Sequence, residues 1–146
     1  FLDELAASLG GRAAEELIFG KEYITTGASN DIEKATSLAR NMVTRFGMSE
    51  AVGTVNYSNP HSSVFLGRDL GEQRNYSENI AFAIDQEIKN IIEQAYSKAL
   101  KILTTYRKTL ETIAIALIEK ETLDNIEFDQ FFTDITVPAK KTLPQV

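Results

Sequence analysis

Apolar positions recur at helical spacing over most of the chain. From Leu2 to Phe19 the set Leu2, Leu5, Ala6, Leu9, Ala13, Leu17 and Ile18 returns every three or four residues, the period of a helix with one buried face. Gly10-Gly11 falls inside this stretch. A glycine in a helix interior costs about 1 kcal/mol relative to alanine, so either the helix breaks there or another element packs close to its backbone. Gly20 reads as the stop, and Lys21 to Asn30 as a loop carrying the polar run Thr25-Thr26-Gly27-Ala28-Ser29-Asn30. A second helix is predicted over Asp31–Phe46, with Ile32, Ala35, Leu38, Ala39, Met42, Val43 and Phe46 on its apolar face. Ser29 or Asn30 is placed to cap it, Asn30 and Glu33 having capping-box spacing, and Gly47 to end it.

From Ser49 to Tyr76 the period is lost. Short apolar pieces, Val52-Gly53-Thr54-Val55 and Val64-Phe65-Leu66, flank Ser58-Asn59-Pro60-His61-Ser62-Ser63, which suggests an irregular insert with a short hairpin. Ser77 then caps a long third helix, Glu78 to Thr105, striped by Ile80, Ile84, Ile88, Ile91, Ala95, Ala99 and Ile102. At 1.5 Å per residue it is roughly 40 Å long. A fourth helix, Lys108 to Lys120, carries Leu110, Ile113, Ala114, Leu117 and Ile118. Thr122-Leu123-Asp124 reads as a turn and cap, before a short helix, Asn125 to Phe132, expected to bury Ile126, Phe128, Phe131 and Phe132. The fold class expected is all-α, an antiparallel helical bundle with a small irregular or hairpin insert, spanning residues 1–133 and followed by a loose tail, 134–146.

Composition narrows the chemistry. A chain of 146 residues with 43% apolar and 25% charged residues can build one core. It has no cysteine, which excludes disulfides, thiolate zinc sites and thiol catalysis, and a single histidine, His61, so a site with two or three histidines cannot be made within it. No second ligand has suitable spacing to His61, which reads as a loop residue. With 15 basic and 21 acidic residues the net charge is −6, which argues against nucleic acid or an anionic membrane surface as the main partner. The longest apolar run, Ile113 to Ile118, is six residues, against the roughly 20 a bilayer span requires. Phe1 is no start methionine and Phe1-Leu2-Asp3-Glu4-Leu5 reads as helix interior; the chain is expected to be a piece of a longer protein.

Two blocks are more specific than any pattern. They are Gly10-Gly11-Arg12-Ala13-Ala14-Glu15-Glu16-Leu17-Ile18-Phe19-Gly20, and Thr25-Thr26-Gly27-Ala28-Ser29-Asn30-Asp31-Ile32-Glu33-Lys34-Ala35-Thr36 running on to Thr44. Together with Val64-Phe65-Leu66-Gly67-Arg68, Ile84-Asp85-Gln86-Glu87 and Glu119-Lys120-Glu121-Thr122-Leu123, they closely resemble the C-terminal part of the protease domain of FtsH-type ATP-dependent zinc metalloproteases. The resemblance implies a membrane-anchored subunit with an ATPase module of the AAA+ type. It implies six such subunits, a homo-hexamer or related subunits, in a ring that degrades unfolded or membrane polypeptides. It implies Zn²⁺ bound by the two histidines of a His-Glu-x-x-His helix, whose glutamate is the general base. It also implies a third ligand, an aspartate from a separate helix, which here is Asp31.

His-Glu-x-x-His is absent, and by the resemblance belongs before Phe1; the general base, the ATP-binding module and the membrane anchor would then all lie outside this chain, which is expected to be inactive alone. The resemblance further suggests that Glu15 lies near the zinc histidines and orients one imidazole. Glu15 and Glu16, as neighbours on a helix, face about 100° apart and do not suit a catalytic dyad. Gly10-Gly11 is expected to admit close packing of the metal-binding helix, and Arg12 to pair with an unspecified acidic neighbour. The localisation implied is the cytoplasmic side of a bacterial membrane or its organellar equivalent, reached only through the anchor. A rival reading is a non-catalytic helical scaffold or assembly module; whether the residues encoded before Phe1 carry His-Glu-x-x-His separates the two.

Overall fold

The computed structural model describes residues 1–58, 76–133 and 135. Among these the fold is all-α, with six α-helices, a short 3₁₀ turn and no strand: α1 (Leu2–Ser8), α2 (Gly10–Phe19), the turn Lys21–Tyr23, α3 (Ser29–Thr44), α4 (Glu78–Thr105), α5 (Arg107–Lys120) and α6 (Asn125–Gln130). The segment Val52–Val55 has no regular structure. Val64-Phe65-Leu66 with its hairpin, His61 and all of the tail but Ile135 lie outside the described residues. No helix among those described is long and apolar enough to cross a membrane. The chain divides into two compact units, Phe1–Leu103 and Thr104–Val146.

The first unit is built on a seam of Leu5 and Leu9, Ala35, Ala39, Met42 and Val43 from α3, Val52, and Ile84, Ile88, Ile91 and Ala95 from α4. Leu5, Val43 and Ile84 are its largest fully buried side chains. A second cluster joins Ala6 and Ala13 to Ala99, with Tyr96, Leu100 and Leu103 against it. Alanine dominates the contacts of α1, α2 and the far end of α4, which lets their backbones approach closely. The predicted stripe of α4 is buried from Ile84 to Ala99, whereas Ile102 is exposed.

Of the two outcomes open at Gly10-Gly11, the helix breaks: Leu2–Phe19 is two helices joined at Leu9 (φ −84°, ψ −2°). The bonds from Leu9 N–H to the Leu5 carbonyl and from Ala13 N–H to the Leu9 carbonyl, both 3.0 Å, keep the ladder going across the joint. A Cβ on Gly10 or Gly11 would meet nothing within 4 Å, so no described element presses on their backbone. Helix α3 begins two residues earlier than its pattern suggests. Its N-cap is Ala28, with no side-chain cap, and the Asn30–Glu33 capping box does not form. Ser29 and Asn30 are already inside the helix because a turn closed by Ser29 N–H on the Thr26 carbonyl (3.1 Å) starts the winding. Helix α3 ends at Thr44 with Arg45 as its C-cap, two residues short of the expected Phe46, so Gly47 lies beyond the cap; Gly47 has φ +61°, and a Cβ there would come within 3.1 Å of Thr54 Cα, so both backbone angle and space require glycine. Ser77 Oγ accepts from Ile80 N–H at 3.5 Å at the start of α4.

In the second unit no residue of α5 or α6 is fully buried. The expected burial of Ile126 and Phe128 is not found: they are 72% and 44% exposed, and Phe131 and Phe132 are half-buried. Helix α6 ends at Gln130 after six residues, too short to set four apolar side chains on one face. Local polar chemistry holds this unit. Asp124 caps α6 in a full capping box, accepting from Glu127 N–H at 2.8 Å while its own N–H donates to Glu127 Oε2 at 3.2 Å. Lys120 Nζ donates to the same glutamate at 2.6 Å.

The seam predicts the stability of the first unit. Leu5→Ala or Ile84→Ala should lower the unfolding free energy by about 2–5 kcal/mol in urea titrations, whereas Ile118→Ala, at a side chain 81% exposed, should change it by less than about 0.5 kcal/mol.

Candidate functional site

Asp31 occupies the first turn of α3, where the helix dipole favours a carboxylate by about 0.3–1 kcal/mol. Its side chain is half exposed, and its ion pair is with Lys34, one turn on, at 3.6 Å. Lys34 is itself largely exposed on a flexible stem, so this pairing leaves the carboxylate accessible. A carboxylate oxygen suits Zn²⁺ at about 2.0–2.2 Å, and Asp31 fits as one donor. Among the described residues no three of His, Cys, Asp and Glu come together to hold a metal. His61 lies outside those residues.

The two carboxylates of α2 diverge, as their helical offset requires. Glu15 turns to the loop before α3: Thr25 Oγ1–H donates to Glu15 Oε1 at 2.6 Å and Thr25 N–H to Oε2 at 3.3 Å. These two bonds, with the nearby Arg12 charge, hold the Glu15 carboxyl below its usual pKa. The same threonine oxygen accepts from Gly27 N–H at 3.2 Å, which stabilises the turn feeding α3. Glu16 turns the other way, accepting from the Tyr96 hydroxyl of α4 at 2.6 Å and facing Lys21 at 3.6 Å. Its pKa is lowered, first by the Tyr96 bond, then by Lys21 and Arg12. Tyr96 is correspondingly pushed up to about 12 by burial and by the bond to Glu16.

Arg12, whose acidic neighbour the sequence leaves open, acts electrostatically on Glu15, Glu16 and Tyr96 together. Its Nη1 is buried with no hydrogen-bond partner among the described residues. Thr25 and Tyr96 do not stand out in the sequence. Thr25 lies in a polar run ten residues from Glu15, and Tyr96 is 80 residues from Glu16; no local spacing links either pair.

The sequence profile of Peptidase family M41 matches residues 1–131. The chain belongs to peptidase family M41. FtsH 1 of Sphaerobacter thermophilus, an ATP-dependent zinc metalloprotease by name, is 48% identical over 134 residues, which cover 92% of this chain and 20% of that protein. The like-named protein of Thermomicrobium roseum is 49% identical over 134 residues, with the same coverage. The FtsH of Thermotoga maritima is 47% identical over 133 residues, 91% of this chain and 22% of that one. This M41 chain therefore spans about a fifth of the length of these relatives, and is of FtsH type. Its match takes in both α2 with Glu15 and the start of α3 with Asp31.

Two pH dependences follow from the M41 chain's paired groups. A tyrosine with a raised folded pKa contributes stability that is whole below the unfolded value near 10 and is lost as pH rises through the folded value near 12. Titration of phenolate absorbance should show a late component, and Tyr96→Phe should remove it. At the acid side, Asp3, Glu15, Glu16 and Glu127 all have lowered values. Their contribution is present above the ordinary carboxylate range and is lost as pH falls through the lowered values. The thermal midpoint should hold from pH 7 to about 5 and decline below about 4.

Proposed function

We propose that this chain is the C-terminal helical part of the proteolytic domain of a membrane-anchored, ATP-dependent zinc metalloendopeptidase that degrades unfolded or membrane proteins. The single observation that carries this reading is the family match over residues 1–131, which includes the block Gly27-Ala28-Ser29-Asn30-Asp31 at the entry to α3. In this reading Asp31 is the third protein ligand of Zn²⁺. The histidine pair and the general-base glutamate belong to the remainder of the subunit, as do the ATPase module and the anchor. The partners are further copies or related subunits in a hexameric ring, and the substrates are polypeptides.

The bound metal supplies a Lewis acid and lowers the pKa of water to near 7. This chain's own residues contribute three things. Asp31 offers a negatively charged oxygen donor at the start of a helix. Glu15 has lone pairs left after its two bonds to Thr25, so it can accept from an imidazole N–H and orient that ring. The apolar seam of α1, α3 and α4 fixes the helix that carries Asp31.

The reading is tested in the full-length subunit. Asp31→Ala should abolish casein cleavage and tightly held zinc, by metal analysis after chelator dialysis, while ATP hydrolysis persists. The 146-residue chain alone should neither cleave casein nor retain tight zinc. About one zinc held per isolated chain, with casein cleavage lost in Asp31→Ala, would overturn that division of labour.

A further inference from the structure

We infer that Thr25 is a positioning residue for Asp31: its hydroxyl latches the turn that starts α3 onto the Glu15 carboxylate of α2. The inference rests on the proposed role of Asp31 as a metal ligand. Three bonds meet at Thr25. Its hydroxyl donates to Glu15 Oε1 at 2.6 Å, its N–H donates to Glu15 Oε2 at 3.3 Å, and its oxygen accepts from Gly27 N–H at 3.2 Å. The hydroxyl thus donates and accepts at once, which valine, of the same shape, cannot do. The first two bonds fix the loop to a helix that the Ala13 contact holds in the core. The third sets the turn, which Ser29 N–H then closes on the Thr26 carbonyl at 3.1 Å and Ile32 N–H continues on the Ala28 carbonyl at 3.0 Å. Asp31 sits within that first helical turn.

Helix α3 has no side-chain N-cap, so nothing within the helix defines where its first turn stands. The Thr25 latch supplies that definition from outside. The close fit around Gly27 agrees: a Cβ there would lie 3.3 Å from Thr25 Oγ1 and 3.8 Å from Glu15 Oε1, so the backbone is drawn in against the latch. A ligand held to a tolerance of a few tenths of an ångström needs such support, and removal of groups that orient metal ligands typically costs 10–100-fold in metal affinity.

The test uses the full-length subunit and measures zinc affinity by chelator competition, together with melting temperatures of the zinc-loaded and zinc-stripped protein. Thr25→Val keeps the shape and removes the hydroxyl. It should weaken zinc binding about 10–100-fold and shrink the zinc-induced rise in melting temperature, so that the zinc-loaded protein loses more than the stripped protein does. Thr25→Ser should restore zinc binding to near the wild-type value. Wild-type zinc affinity in Thr25→Val overturns the inference, as does an equal drop in melting temperature with and without zinc, which is what a purely structural bond would give. Thr25→Ala makes the same comparison, should Thr25→Val not fold, and wild-type zinc affinity in it likewise overturns the inference. Asp31→Ala separates the two levels: if it loses zinc while Thr25→Val does not, the latch alone is wrong; if it keeps zinc, the ligand assignment beneath it is wrong.

Discussion

The first unit depends on the meeting of Leu5, Val43 and Ile84, one side chain each from α1, α3 and α4, all fully buried. Around them the seam is made largely of alanine and β-branched residues, Ala35, Ala39, Ile88, Ile91 and Ala95. Small side chains let the helix axes approach, and the stiff branched ones fill the remaining space without losing much rotamer freedom. Helix α1, seven residues long, would be marginal alone. Packed together the three helices bury a common face, and the loops between them inherit fixed end points. The bonds from Glu15 to Thr25 and from Glu16 to Tyr96 hang from those end points.

Among the polar groups, the adjacent pair Glu15 and Glu16 does most to connect the elements. The helical offset sends them in different directions, one to the loop before α3 and one to α4. Arg12, one turn back, biases both towards the ionised state. A short stretch of one helix therefore holds two other elements through carboxylates whose charge is stabilised locally. Asp31 is reached through this arrangement. It is half exposed and paired with Lys34 at 3.6 Å.

The second unit follows a different economy of structure. None of its described residues is fully buried, and polar contacts tie them: a capping box at Asp124 and the Lys120–Glu127 pair. Ile118 and Ile126 stay largely exposed. Glu121 ends α5 in the left-handed region at φ +63°, unusual for a residue with a side chain, while its N–H closes on the Leu117 carbonyl at 2.9 Å. The same polar logic that joins α2 to the α3 loop thus also shapes the turn between α5 and α6.

Much of this is legible in the order of residues. The bounds of α4, the stop at Gly20, the cap at Asp124, and the divergence of Glu15 from Glu16 all follow from local rules: 3.6-residue periodicity, glycine at positive φ, and side-chain reach within four residues. The family, and with it the candidate ligand Asp31, follow from blocks of sequence rather than from physics. What local rules misplace are features set by partners distant along the chain. The start of α3 depends on a turn latched to Glu15, the role of Tyr96 on a glutamate 80 residues away, and the exposure of Ile102, Ile126 and Phe128 on what fails to cover them. Periodicity states which face of a helix is apolar, but burial is a property of two surfaces, and only the tertiary structure determines whether the second surface is there.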